Sequence, residues 1–190
     1  MESLKEKYNK EVVPELMKRL GAKNIMAVPS MKKVVINSSF GKAVVGKSAS
    51  EREKIQNLIM QDLSLIAGQH TNLVKSRKSI AGFKLREGLE IAAVVTLRKQ
   101  RMWDFIERFI YLSLPRSRDF KGIDTKSIDK RGNLSMGFKE HISFPEIFTE
   151  KEKTIFGLEI TFVTNAKTKE EGLELYKLLG FPLKETKEVK

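Results

Sequence analysis

One stretch has the spacing that phosphate chemistry requires. Gly41-Lys42-Ala43-Val44-Val45-Gly46-Lys47-Ser48 fits G-x-x-x-x-G-K-[ST], a loop that wraps phosphates in backbone N–H groups. In that reading Lys47 meets the terminal phosphates and Ser48 holds magnesium. The stretch follows an expected strand and precedes an expected helix, as the reading needs. Two of its other requirements fail. Magnesium needs a second carboxylate at the end of a buried strand, but the most strand-like run, residues 91–97, ends on Thr96, Arg98 and Lys99. A parallel nucleotide-binding sheet alternates strands with helices, and this chain does not. A P-loop nucleotide-binding protein using residues 41–48 therefore stands as the alternative; the simpler reading is a basic strand-to-helix connection.

Other catalytic chemistry finds little support. The chain has no Cys, which removes disulfides, thiolate zinc sites and Cys nucleophiles. His70 and His141 fall in different expected elements, and Glu140-His141 lacks the second histidine of a zinc-protease helix. Ser38 and Ser39 sit in no G-x-S-x-G elbow. The carboxylates follow solvated helix faces, and no pair is set apart for acid–base work. The expectation is a protein that is not an enzyme, with no catalytic residues, no metal site and no cofactor.

The charge points elsewhere. Thirty-six Lys and Arg face 24 Asp and Glu across 190 residues, a net charge of +12 and a pI near 9.8. Such a surplus attracts polyanions, nucleic acid first, through its summed field and through counterion release. It is concentrated in two places. Residues 75–86 carry Lys75, Arg77, Lys78, Lys84 and Arg86 around Ser79, Gly82 and Phe83. The cations can neutralise phosphates, Gly82 permits close approach, and Phe83 can stack on a base. The plainer alternative is a charged hairpin tip with Phe83 in the core. Arg116-Ser117-Arg118-Asp119-Phe120-Lys121-Gly122 leads, with little periodicity, to Lys130-Arg131-Gly132-Asn133, and aperiodic stretches of that length are usually functional or disordered.

The elements that must position these groups follow from periodicity. Leu4, Tyr8, Val12, Leu16 and Leu20 predict a helix over 3–20, with Pro14 expected to kink or split it. A strand is expected over 31–40. A helix follows, with capping-box spacing at Ser50 and Glu53, an apolar face through Ile55, Leu58, Ile59, Leu63 and Ile66, and Gly68 at its end. Strands are expected at 71–76 and 89–98, and a helix over 101–114 that Pro115 stops. Strands at 134–139 and 155–164 precede a last helix boxed by Thr168 and Glu171 and ended by Gly180. Strands joined by short excursions, with helices between other pairs, predict an α+β fold. Its sheet is mainly antiparallel, with helices packed on one face and a projecting basic hairpin loop. No composition shift marks a boundary, so residues 1–183 read as one RNA-binding domain and 184–190 as a basic tail. No apolar run reaches membrane-spanning length and the N-terminus lacks a signal-peptide core, so a cytoplasmic protein is expected. A peripheral membrane role for the first helix is weakened by the mix of Glu and Lys on its polar face.

Several blocks, in order, resemble the bacterial large-subunit ribosomal protein L5 family (uL5 type). They are Met26-Ala27-Val28-Pro29, residues 75–86, Val95-Thr96-Leu97-Arg98, Arg101-Met102-Trp103, residues 116–122, Arg131-Gly132-Asn133-Leu134-Ser135-Met136-Gly137 and Phe144-Pro145-Glu146-Ile147. The resemblance implies a structural constituent of the large ribosomal subunit. It implies binding to 5S ribosomal RNA in the central protuberance and attachment of that RNA to the large ribosomal RNA. It implies further contacts with P-site transfer RNA, with neighbouring ribosomal proteins and with a small-subunit head protein. By the same resemblance, Asn37, Ser38, Gly41, Arg98, Arg116, Arg118, Phe120, Lys121, Gly122, Arg131, Gly132, Asn133 and Ser135 would form the 5S RNA surface. Lys75, Arg77, Lys78, Ser79, Gly82, Phe83, Lys84 and Arg86 would form the loop that reaches the transfer RNA. One departure stands out: the family usually reads Met-Gly-Val-Gly after Asn37, and this chain reads Ser38-Ser39-Phe40-Gly41.

Overall fold

The computed structural model describes residues 3–118, 120–147 and 155–184. The tail expected at 184–190 lies outside them except for Lys184, and Asp119 lies outside as well. The strands are β1 (Met31–Ser39), β2 (Asn72–Lys75), β3 (Glu90–Leu97), β4 (Leu134–Phe138) and β5 (Leu158–Thr164). They form a five-stranded antiparallel sheet in the order β2-β3-β1-β5-β4, and the fold is α+β as expected. The chain divides into two units, Met1–Val34 with Arg98–Met136 and Thr161–Lys190, and Val35–Leu97 with Gly137–Ile160. Each crossing between them but one falls inside a strand, so no linker composition announces the division.

The first unit is held by aromatic packing beneath two long helical runs. The opening run comprises α1 (Leu4–Lys7), a π-helical segment Tyr8–Val12 and α2 (Val13–Leu20). Ser3 caps it by accepting from the Glu6 N–H, and Gly21 closes it at φ 63°. Leu4, Tyr8, Val12 and Leu16 are buried, and the Tyr8 ring lies 5.1 Å from that of Trp103. Four of the five residues of the predicted stripe are thus spent on this core, and Leu20 is half-buried. Pro14 does not split the run. The Val13 N–H reaches back to the Tyr8 carbonyl, a π-type bond that widens the helix just before the proline. The device recurs in α5 (Lys99–Arg108), the π segment Phe109–Ser113 and α6 (Leu114–Arg116), where the Leu114 N–H bonds the Phe109 carbonyl. The helix therefore runs past Pro115 to Arg116 instead of stopping before it. Below lie Phe109, Phe162, Tyr176 and Phe181, with ring centroids 5.1–5.2 Å apart along the chain 109–162–181–176. Each such buried ring contributes roughly 1.5–3 kcal/mol. The last helix, α7 (Lys169–Leu179), is capped by Thr168, and Gly180 ends it at φ 90°.

In the second unit, α4 (Ala49–Ala67) packs its Ile59, Leu63 and Ile66 face inward. Its capping box is Ser48 with Glu51, two residues earlier than expected from Ser50 and Glu53. Ser48 fits better because its extended backbone, φ −63° and ψ 160°, is that of a residue entering a helix, whereas Ser50 is already inside it. The stretch expected to be a loop begins with a helical turn, α3 (Gly41–Val44).

Candidate nucleic-acid interface

The basic segment between β2 and β3 is a hairpin. Asn72 pairs with Val94 and Leu73 with Ala93, and a register shift after Val74 brings Lys75 opposite Glu90. Beyond the strands, the Ser76 N–H donates to the Leu89 carbonyl at 2.7 Å, and the Gly88 N–H to the Ser76 carbonyl at 3.0 Å. Ser79 accepts from the Glu87 N–H at 2.9 Å, and Ile80 bridges Leu85. A 3-10 turn, Ala81–Phe83, forms the tip, and Lys84 leaves it with φ 51°. A left-handed backbone at a residue other than glycine costs roughly 1–2 kcal/mol, so the surrounding ladder must hold it there.

The hairpin presents its cations and its aromatic ring outward. Lys75, Arg77, Lys78, Lys84 and Arg86 are all exposed. Phe83 is 73% exposed, which removes the alternative that places it in the core. At Gly82 nothing lies within 4 Å of where a Cβ would be, so the tip is open to close approach.

The second basic stretch is more ordered than its aperiodic sequence suggests. The Ile123 N–H donates to the Pro182 carbonyl and the Lys184 N–H to the Ile123 carbonyl, each at 2.8 Å. Asp124 caps a 3-10 turn, Thr125–Ser127. Asp129 then closes the next turn. One carboxylate oxygen accepts from the Arg131 and Asn133 N–H groups, and the other from the Asn133 amide, all at 2.8 Å. Partial burial opposes the charge on Asp129, but the hydrogen bonds from Asn133 and Arg131 outweigh it and hold the carboxyl below its usual pKa.

The expected 5S RNA residues therefore divide by role. Arg98, Arg116, Arg118, Lys121, Arg131 and Ser135 are exposed, while Asn37, Phe120 and Gly122 are half-buried. Ser38 is fully buried and its hydroxyl donates to the Gly157 carbonyl at 2.8 Å. Gly41 lies against Ile91. Gly132 is buried, and its carbonyl accepts from the Thr164 and Tyr176 hydroxyls at 3.1 Å each. Asn133 bonds Asp129 with its amide and accepts from the Thr164 N–H with its side-chain oxygen. Ser38 and Gly132 thus lie beneath the surface, while Gly41 and Asn133 are half-buried.

The phosphate-loop alternative is not supported by this geometry. Its first residues are wound into α3, and the Ser48 hydroxyl is bound to the Glu51 carboxylate at 2.6 Å, where a magnesium ligand would have to be free. Hydrogen bonds from Ser48, with help from Lys47 and Lys54, hold the Glu51 carboxyl below its usual pKa. Among the described residues no group of acidic or histidine side chains is arranged to hold a metal ion. His141 is fully buried and stacked on Phe156 at 3.9 Å, a packing role.

Instead, residues 44–47 form one wall of an open cavity of about 320 Å³, lined on its other sides by Arg52, Lys84, Arg86 and Leu89. Lys47 and Arg52 were not picked out by spacing as partners of the hairpin. They lie far from Lys84 in sequence, and only the fold brings them together.

Two family models match the chain: "Ribosomal protein L5" over residues 24–86, and the C-terminal model of the same ribosomal family over residues 90–183. Proteins named "Large ribosomal subunit protein uL5" align over nearly their whole length. That of Geotalea daltonii is 49% identical, covering 97% of this chain and 99% of its own. That of Desulforamulus reducens is 49% identical over 96% and 97%. That of Clostridium tetani is 47% identical over 94% and 96%.

Proposed function

Given that the chain belongs to the ribosomal protein L5 family and is a structural constituent of the large ribosomal subunit, not an enzyme, we propose that it grips 5S ribosomal RNA in the central protuberance and tethers it to the large ribosomal RNA. It acts in the cytoplasm, where its bacterial relatives work as large-subunit proteins. Arg98, Arg116, Arg118, Lys121 and Arg131, with Ser135, Phe120 and Asn37, meet the 5S RNA. The hairpin at 75–86 reaches the P-site transfer RNA, and other surfaces meet neighbouring ribosomal proteins, including one in the small-subunit head.

For 5S RNA the observation that carries this reading is the exposed set Arg98, Arg116, Arg118, Lys121 and Arg131, and for transfer RNA it is the hairpin, with five exposed cations around a ring that is 73% exposed. An isolated soluble domain gains nothing from displaying Phe83 this way, whereas RNA offers both phosphates and a stacking surface. Cations of this kind neutralise phosphates, and release of counterions makes affinity fall steeply with salt. Titrating 5S RNA at rising KCl tests this. For about six to ten phosphate contacts, affinity should fall by roughly 10³–10⁵ between about 50 and 200 mM salt. A flat response would refute it.

A further inference from the structure

We propose that the cavity between the 44–47 turn and the root of the hairpin seats one phosphodiester group of RNA. This deepens the RNA-binding reading above and rests on it. Four cationic side chains, Lys47, Arg52, Lys84 and Arg86, converge on about 320 Å³, and no carboxylate lines it. None of the four makes a side-chain hydrogen bond or ion pair among the described residues, and the one carboxylate acting on them electrostatically, Glu51 on Lys47, lies outside the lining. The Arg52 Nε is buried without a hydrogen-bond partner. A buried donor left unpaired is unfavourable, and like charges crowded together repel one another. A phosphate entering the cavity offsets the crowded charge, and a small turn of Arg52 would bring its Nε–H onto the same anion. The adjoining hollow, which shares Arg52 and Leu89, contains Glu90, but that carboxylate faces Lys75 at 3.9 Å.

The chemistry selects a phosphodiester over a magnesium nucleotide. Ser48 is engaged by Glu51, and no metal-holding group accompanies the cations among the described residues. The cavity is continuous with the exposed hairpin, since Lys84 and Arg86 belong to both. A strand of RNA lying along the hairpin would therefore pass one phosphate over Arg52.

The test uses the full-length chain and two probes, ribosomal RNA extracted from large subunits and transfer RNA, each titrated across a KCl series. Arg52→Gln and, separately, Lys47→Ala should weaken binding of at least one probe about threefold to tenfold and lower the slope of log affinity against log salt by about 1. The probe affected names the source of the phosphate. Lys54→Ala, on the same helix but outside the cavity, should leave the slope unchanged. Matched thermal unfolding separates these effects from loss of fold, and Lys47, being exposed, keeps the test valid if Arg52 proves structural. Unchanged slopes in both cavity variants, with the unaltered chain still binding RNA steeply with salt, would overturn the seat and leave the RNA reading intact. Failure of the unaltered chain to bind either RNA would overturn both. Micromolar binding of magnesium pyrophosphate, abolished by Arg52→Gln, would make the cavity a small-anion site and also overturn the proposal.

Discussion

Gly132 sits in what the family resemblance marks as RNA-binding territory, yet its own role is internal. A Cβ built there would lie 2.7 Å from the Ala166 Cβ and 3.0 Å from the Gly172 Cα, and the backbone is left-handed at φ 70°. Its carbonyl anchors the hydroxyl of Tyr176, whose own pKa is pushed up chiefly by burial. Gly132→Ala combines a left-handed residue with an overpacked contact and should cost about 2–4 kcal/mol in urea unfolding. A loss under about 0.5 kcal/mol would show that the glycine contact is not what holds this turn. Ser38 teaches the same lesson. It is fully buried, and its hydroxyl is spent on the Gly157 carbonyl. Phe83 is the opposite case, a large apolar side chain left in solvent.

Between residues and fold, two details of the elements depended on hydrogen-bond geometry. Both prolines that should end or break a helix are preceded by a π turn, and in each case the N–H before the proline skips to the carbonyl five residues back. No spacing rule signals that choice, because a π turn is a rare single-turn insertion that apolar periodicity does not record. The turn at 129–133 depends on one carboxylate. An Asp whose folded pKa is depressed adds stability above its unfolded value, about 3.9, and that stability is lost as pH falls through the lower folded value. The amide signals of Arg131 and Asn133 should therefore titrate with a midpoint below about 3.9, and Asp129→Asn should abolish the titration. A midpoint at or above that value would mean the hydrogen bonds do not favour the charged form. Asp129 is exposed, so the effect on the turn should be local.

Taken whole, the molecule pairs a net charge of +12 with a sheet whose strands thread two units. The hairpin belongs to the second unit, and Arg98, Arg116, Arg118 and Arg131 belong to the first. That separation predicts a division of labour. The triple variant Arg77→Ala, Lys78→Ala, Lys84→Ala should unfold within about 0.5 kcal/mol of the parent, since the side chains are exposed. It should keep 5S RNA affinity and lose about tenfold in P-site transfer RNA binding, measured by filter retention on assembled subunits. Equal loss of both RNAs would end the division. Much of this was legible from the chain alone. Alternating runs such as Ile91, Ala93, Val95 and Leu97 specified strands, a stripe from Leu4 to Leu16 specified a helix, and the clustered cations specified a polyanion partner, because period and charge are local properties. The family resemblance was legible for the same reason, in blocks read directly along the sequence. What needed the tertiary structure was every outcome that depends on who stands opposite. Ser38 and Gly132 turned inward, Phe83 turned outward, and Lys47 and Arg52 met Lys84 and Arg86. Burial and convergence are decided by contacts between residues distant in the chain, and no local pattern records them.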